Sequence, residues 1–280
     1  PGLTQKSIGG VGGFQIWQIE GQKIGQIRGF DYRRDPNGNR IVGSDGNFDL
    51  AEEATNIKGK TINPSLFGGL YSDFFMKGFN FHFGLDYKFG GTIFSYTNNY
   101  LLGLGVTKES LLGRDEEHGG LAYYIDNATG NKVSWEHDNP APANARGGIV
   151  YHDGMILDGV KEITSGGNTT YAKNDIIVAA PAYYQTFISD IGGFWPTDRL
   201  FKNDYIKLRE ISLSYTLPAK VSEIVKLQKV SIMASIRNLG YLYKTVPNID
   251  SESSLGAGEY VENSFYPSLR SYVLGLTVSF

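Results

Sequence analysis

Phe79-Asn-Phe-His-Phe-Gly-Leu-Asp-Tyr-Lys-Phe89 alternates without a break. Phe79, Phe81, Phe83, Leu85, Tyr87 and Phe89 hold one parity, and Asn80, His82, Gly84, Asp86 and Lys88 hold the other. A helical period would spread rings and charges over every face, so the segment reads as a strand with one apolar and one wet face. Strands in soluble sandwiches are usually about five or six residues long. Eleven alternating positions ending in Tyr and Phe match instead a tilted strand that crosses a bilayer, which needs about 9 to 11 residues.

The chain ends in the same pattern. Tyr272, Leu274, Leu276, Val278 and Phe280 share one parity, with Ser271, Val273, Gly275, Thr277 and Ser279 between them. Outward apolar residues closing on a terminal Phe form the last strand and assembly signal of an outer-membrane barrel, the ring sitting in an interfacial aromatic girdle. Two further strands are predicted. In Tyr205 to Leu217, Ile211, Leu213, Tyr215 and Leu217 alternate with Ser212, Ser214 and Thr216, and Lys207, Arg209 and Glu210 suit a section above the membrane. In Lys229 to Gly240, Val230, Ile232, Ala234 and Ile236 alternate with Ser231, Met233, Ser235 and Arg237.

Composition supports the same class. The 280 residues include 18 Tyr, 16 Phe and 36 Gly, with 41% hydrophobic residues overall, which describes half-apolar strands joined by polar turns and loops. No apolar run reaches the roughly 18 residues of a membrane-spanning helix. The absence of Cys excludes disulfides, thiolate metal sites and a cysteine nucleophile. With 26 basic and 29 acidic residues, no general attraction for nucleic acid exists. The sequence begins at Pro1 with no secretory leader pattern, as expected for a mature product or a piece of a longer polypeptide.

The terminal Phe gives direction. With Phe280 at the periplasmic interface, Tyr205 to Leu217 runs inward and Lys229 to Gly240 outward. Pro218 to Gln228 is then a periplasmic turn with room for one helical turn. Lys77-Gly78 is a second such turn, joining a descending strand near Gly69 to Met76 with the ascending strand at Phe79. A first ascending segment is expected within Phe14 to Tyr32, giving about six strands. The outer loops are then Arg33 to Phe67, Asn98 to Asn203 and Tyr241 to Arg270. The middle one is too long for bare coil. A short helix is expected in Ala180 to Asp190, where Pro181 stands near the start, and an extended course in Asn127 to Arg146.

Several blocks, in order, resemble the C-terminal part of a SusC/RagA-type TonB-dependent outer-membrane transporter. They are Glu20-Gly-Gln-Lys-Ile-Gly-Gln-Ile-Arg-Gly-Phe-Asp-Tyr32, Ile62-Asn-Pro-Ser-Leu-Phe-Gly-Gly-Leu70, Asp86-Tyr-Lys-Phe-Gly-Gly-Thr-Ile-Phe-Ser-Tyr-Thr-Asn98 and Tyr205-Ile-Lys-Leu-Arg-Glu-Ile-Ser-Leu-Ser-Tyr-Thr-Leu-Pro218. Arg237-Asn-Leu239, Pro247-Asn-Ile-Asp-Ser-Glu252 and the closing strand complete the set. The resemblance implies an all-β fold, a transmembrane antiparallel β-barrel of about 22 strands with long extracellular loops, in the outer membrane and in contact with its lipid. It also implies a plug inside the barrel, coupling to the TonB complex, and a SusD-like surface lipoprotein that captures oligosaccharides or peptides. Residues 1–280 carry no plug, TonB box or N-terminal strands. About six strands cannot close a barrel, because the smallest bacterial ones have about eight. The chain is therefore expected to pair with the remaining barrel and plug portion of the transporter.

No catalytic residue, cofactor or metal is expected. Asp35-Pro-Asn-Gly-Asn39 opens like a calcium loop, but Arg40 and Gly46 stand where an EF-hand needs Gly and Glu. Asn37-Gly38 and Asp45-Gly46 read as tight turns instead. His82, His118, His137 and His152 lack zinc-site spacing, and Asp115, Glu116 and Glu117 read as a solvated loop face. Trp135, Tyr183, Tyr184, Phe194, Trp195 and Tyr266 fall in the outer loops, where they either contact substrate or the lipoprotein lid, or form small cores that hold the loops. Asn80, Asp86, Lys88, Ser235 and Arg237 are expected to face the lumen, lining the transport path or bonding the plug. The rival readings are a secreted soluble β-sandwich that binds carbohydrate through Trp135 and Trp195, and a small complete barrel with two more strands within Asn98 to Asn203.

Overall fold

The computed structural model describes residues 4–188, 195–224, 226–253, 260–263 and 266–280. The chain divides into two compact units. One comprises Pro1–Lys60 with Ser95–Arg199, and the other Thr61–Phe94 with Leu200–Phe280. Strands dominate both, and helices are short.

The second unit is built on a five-stranded antiparallel sheet. Its strands are β1 (Pro64–Met76), β2 (Phe79–Gly90), β3 (Tyr205–Thr216), β4 (Lys229–Lys244) and β5 (Ser271–Ser279), in the spatial order β5-β4-β3-β2-β1. The register aligns apolar residues into rows that cross the whole sheet. One row is Phe74, Phe81, Leu213, Ala234 and Leu274, and the next is Met76, Phe79, Tyr215, Ile232 and Leu276. A third adds Phe83, Ile211, Ile236 and Tyr272. Side chains of a strand alternate between faces, so all these residues lie on one side of the sheet. Most of them are uncovered: Leu213 is 48% exposed, Phe74 57%, Ile232 52% and Leu274 86%.

A bulge keeps that face in phase. Leu208 pairs with Leu85 and Glu210 with Gly84, which leaves Arg209 as the extra residue of β3. Without it, an unbroken alternation from Ile211 back to Tyr205 would place Lys207 and Arg209 on the apolar side. Glu210 lies on the polar face as the neighbour of Ile211, and the bulge returns Leu208 to the apolar face and Lys207 to the polar one, which is how an inserted residue re-aims a strand.

The inner turns follow their sequences. Lys77 and Gly78 both have positive φ, 48° and 87°, the geometry of a two-residue hairpin that matches strand twist. Between β3 and β4, Ala219–Ile224 forms the expected helical turn. The strand expected near Gly69 to Met76 is longer, starting at Pro64. The strand expected to end at Gly240 continues to Lys244.

One expectation is corrected. Phe14 to Tyr32 supplies no sixth strand to this sheet. It forms Phe14–Ile19 and Gln26–Gly29, paired with each other and flanked by Gln5–Val11 and Thr55–Thr61. The break falls where Gly21 and Gly25 take positive φ, 74° and 73°, a conformation that suits glycine and ends a strand. Of the strands within Asn98 to Asn203, Leu200–Lys202 pairs with Thr92–Ser95 in a small sheet that also holds Val261–Glu262, and the others form two sheets with residues of the first unit. One holds Leu121–Asp126, Lys132–Ser134, Ala145–Ile156 and Ile177–Ala179, and the other joins Val160–Ser165 to Asn168–Lys173 and to Ile41–Val42. Among the described residues none of them pairs with the five-stranded sheet, so the two further strands that a small complete barrel needs are not found there.

The first unit has its own core, as its length demands. Val42, Leu157 and Val178 pack with Phe48, Met155 and Tyr183, and Ala180, Tyr184 and Phe187 pack with Leu102 and Met155. The helix Ala180–Gln185 starts as expected with Pro in its first turn. The Asp35 turn is closed by itself: the carboxylate accepts from the Asn37 and Asn39 backbone N–H groups at 2.9 and 2.8 Å and from Asn39 Nδ2 at 2.9 Å.

A Cβ on Gly78 would lie 2.8 Å from the Thr216 carbonyl oxygen at a left-handed φ. Gly78→Ala should therefore cost about 1–2 kcal/mol in denaturant unfolding from detergent. Lys77→Asn, which suits the same backbone region, should cost nothing.

Candidate functional site

The polar face of the sheet collects the five residues expected to face the lumen. Asn80, Asp86 and Lys88 share the even parity of β2. Ser235 and Arg237 reach the same face through the pairs Ser235–Ser212–His82 and Arg237–Glu210–Gly84. Ser235 Oγ donates to Glu210 Oε1 at 2.7 Å, and Arg237 Nε lies 3.3 Å from Glu210 Oε2. His82 Nδ1 is 3.0 Å from Asp73 on β1. These bonds run across strands, so Ser235, Arg237 and His82 are each held by a neighbour on the adjacent strand.

The strongest cluster lies at the end of this face, where residues 245–253 and 266–270 fold back over β3. Lys207 is 1% exposed. Its Nζ donates to Glu252 Oε2 at 2.5 Å and to Ser268 Oγ at 2.8 Å, and lies 3.7 Å from Asp250. Arg209 forks between Asp86 and both oxygens of Glu252. Asp250 in turn accepts from Tyr241 and from the Ser268 hydroxyl and backbone N–H. Burial by itself would raise the Asp250 carboxyl. The hydrogen bonds from Ser268, Tyr241 and the Glu252 backbone outweigh it and hold the group well below the usual carboxylate range. A buried ammonium is tolerated only with such paired and hydrogen-bonded partners.

Glycines let this face close. A Cβ on Gly84 would come within 2.6 Å of the Tyr71 ring, as would one on Gly69. The Tyr71 ring lies across both and reaches Asp86 Oδ1 through its hydroxyl at 2.6 Å. An open cavity of about 560 Å³ sits beside the cluster, lined by Lys207, Tyr241, Lys244, Asp250, Ser268 and Arg270 among others.

The loop aromatics separate by burial. Tyr184 is 3% exposed and its hydroxyl donates to the Glu109 and Leu112 carbonyls at 2.9 and 3.0 Å. Trp195 is 6% exposed and meets Tyr96 edge-on at 5.2 Å. Both are packed inside the first unit and offer no ring face to a ligand. Tyr183 is half-buried against Tyr184 and Phe187, and Trp135 stands edge-on to Tyr124 at 5.4 Å. Tyr266 is fully displayed, at 95% exposure. Phe194 lies outside the described residues.

Sequence reading missed the Lys207–Glu252–Asp250 cluster as a unit. Its members were visible only as members of two separate blocks, Tyr205 to Pro218 and Pro247 to Glu252, whose pairing requires the fold. It also separated His137 from His152, which stand with their Nδ1 atoms 2.8 Å apart. His118 is instead paired with Asp115 at 2.7 Å.

No family model and no curated protein matches the chain. Among solved structures, a chain of the RagAB peptide importer in its closed-closed state is similar at 16% identity, with a TM-score of 0.48, over 100% of this chain and 25% of that one. A chain of the RagAB peptide transporter is similar at 14% identity, TM-score 0.49, over 100% and 25%. A RagAB chain in the open-open state gives 14% and 0.49 over 100% and 24%. The chain thus spans about a quarter of the length of these RagAB chains.

Removing one partner of a buried charge pair leaves the other uncompensated. Glu252→Ala should therefore destabilise the second unit by about 3 kcal/mol. Limited proteolysis should show faster cleavage within residues 245–253 and 266–270, and Tyr71→Phe, which removes one peripheral bond, should leave that cleavage rate nearly unchanged.

Proposed function

We propose that this chain supplies part of the barrel wall, with its outer loops, of a TonB-dependent outer-membrane importer of the SusC/RagA type. The observation that carries the reading is the apolar face of the five-stranded sheet. Two of its rows run from β1 to β5 without a polar residue, and the described residues leave it uncovered, with Leu274 86%, Met76 69% and Leu276 66% exposed. Contiguous apolar surface on this scale marks a membrane or an interface. Its opposite face carries the cross-bonded polar and charged side chains, beside Phe67, Phe75, Met233 and Val273, and such a contrast between faces is the division between lipid and lumen in a transmembrane barrel. In a soluble sandwich that apolar face would be the core, covered by a second sheet.

Both edges of the sheet, β1 and β5, are unpaired on their outer sides among the described residues. Long edge strands with free backbone groups do not persist in lipid. In this reading they pair with the strands of the remaining barrel, whose interior holds the plug. The work of the chain is binding and gating, without chemistry of its own. Import is energised by the TonB complex through the rest of the transporter. The cargo is an oligosaccharide or a peptide, delivered by a SusD-like lipoprotein that docks on the outer loops. Tyr266 and Trp135 are the ring candidates for contact with lid or cargo, and Asn80, Asp86, Lys88, Ser235 and Arg237 face the path or the plug.

The test is depth-dependent tolerance to charge. Leu213→Arg in the middle of the apolar face should lower stability by about 2–4 kcal/mol and reduce outer-membrane assembly of the transporter, while Ser212→Arg, one residue away on the polar face, should assemble normally. A chain that is monodisperse and folded in detergent-free buffer would overturn the reading in favour of a soluble sandwich.

A further inference from the structure

Three side chains distant in sequence converge in the first unit. Glu116 comes from the turn 113–120, His137 follows the strand Lys132–Ser134, and His152 lies on Ala145–Ile156. Each offers a ligand atom, and these atoms lie within 4.8 Å of one another. The His137 and His152 Nδ1 atoms are 2.8 Å apart, with the rings stacked at 5.0 Å. His137 Nδ1 is 3.4 Å from Glu116 Oε2. No other such group of three occurs among the described residues.

We propose that Glu116, His137 and His152 form a binding site for a divalent ion of the zinc class, which ties three segments of this unit together. Zinc binds imidazole nitrogen and carboxylate oxygen at about 2.0–2.2 Å in a tetrahedron, which places ligand atoms about 3.3 Å from each other. The His137–Glu116 separation of 3.4 Å matches that value, the His137–His152 contact of 2.8 Å is a ring-to-ring hydrogen bond that an ion would replace, and all the ligand atoms lie within 4.8 Å of one another. The donor set is mixed imidazole and carboxylate, the chemistry that suits zinc rather than calcium or magnesium. Three protein ligands leave the remaining position to water.

The backbone around the site is fixed independently of any ion. Asp115 accepts from the His118 backbone N–H at 2.9 Å and from its ring at 2.7 Å, and the Gly120 N–H donates to the Asp115 carbonyl at 2.6 Å. A side chain at Gly120 would collide with the His152 carbonyl, so the turn that carries Glu116 packs directly on the strand that carries His152. The Trp135 N–H donates to the Ala122 carbonyl at 2.9 Å, anchoring the segment that brings in His137. The carboxylate and the two rings are therefore presented to one point by three anchored segments, and an ion there would cross-link them in the way a structural zinc does.

The experiment uses the purified, detergent-solubilised transporter that contains this chain, stripped by chelator and titrated with Zn²⁺ against a chromophoric competitor. Wild type should retain one equivalent against the competitor. His137→Gln and His152→Gln should each lose it, Glu116→Gln should weaken it by at least about tenfold, and His82→Gln should keep it. Circular dichroism of each variant shows whether its strands are intact, and Glu116→Gln, on an exposed turn, tests the site even where a histidine variant misfolds. The proposal fails if wild type retains no equivalent, or if the equivalent persists in the well-folded His137→Gln/His152→Gln double variant.

Discussion

Strict alternation of side chains across a strand is the constraint on which the second unit depends. Every residue of β2 commits its neighbours on β1 and β3 to a face, and through β4 that commitment reaches β5. A single unpaired residue would invert the pattern beyond it. Arg209 is such a residue, and its position is what reconciles two demands. Below it, β3 must present Ile211, Leu213 and Tyr215 to the same side as Phe79, Phe81 and Phe83. Above it, Lys207 must meet Glu252 and Asp250. The bulge satisfies both and delivers the Arg209 guanidinium to Asp86 and Glu252.

From that geometry follows the economy of the polar face. Several wet-face side chains are not simply solvated: His82, Asp86, Arg209, Glu210 and Ser235 are bonded across strands, and Lys207 and Arg209 are bonded to Glu252. Tyr71 over Gly84 and Gly69 shows how small residues serve this arrangement, since a side chain at either glycine would displace the ring that reaches Asp86. The same logic governs the first unit, where Tyr184 and Trp195 are spent on holding loops rather than displayed. Long loops need internal cores, and Tyr184 fills one well because its hydroxyl is satisfied by the Glu109 and Leu112 carbonyls while the ring is buried.

What was legible in the sequence was what depends on local order. The parity of Phe79 to Phe89 and of Tyr272 to Phe280, the Lys77-Gly78 hairpin, the helical turn after Pro218 and the Ala180 helix are all written in neighbouring residues. β1 was only partly legible, because Phe67, Tyr71 and Phe75 put rings on its polar face beside Leu70, Phe74 and Met76 on the other. Phe14 to Tyr32 misled for the opposite reason: its apolar alternation is real, but Gly21 and Gly25 break it and send it into a separate sheet. The Lys207 cluster and the Glu116–His137–His152 group were illegible, since each joins residues whose proximity is created only by tertiary folding. Whether Trp195 packs or projects is likewise a question of burial, which hydropathy cannot answer for a residue that suits both.

The central claim is that one face of the five-stranded sheet meets lipid and the other meets water. Because the chain has no cysteine, single cysteines can be placed at Leu213, Ile232 and Leu274 on one face and at Ser212, Met233 and Val273 on the other, each carrying a spin label in the protein reconstituted in bilayers. Collision rates with oxygen, which concentrates in lipid, and with a water-soluble nickel chelate then report the surroundings of each label. The account predicts oxygen-dominated relaxation at the first three positions and alternation with residue parity along β3, β4 and β5. Equal nickel accessibility on both faces, or loss of the alternation, would contradict it.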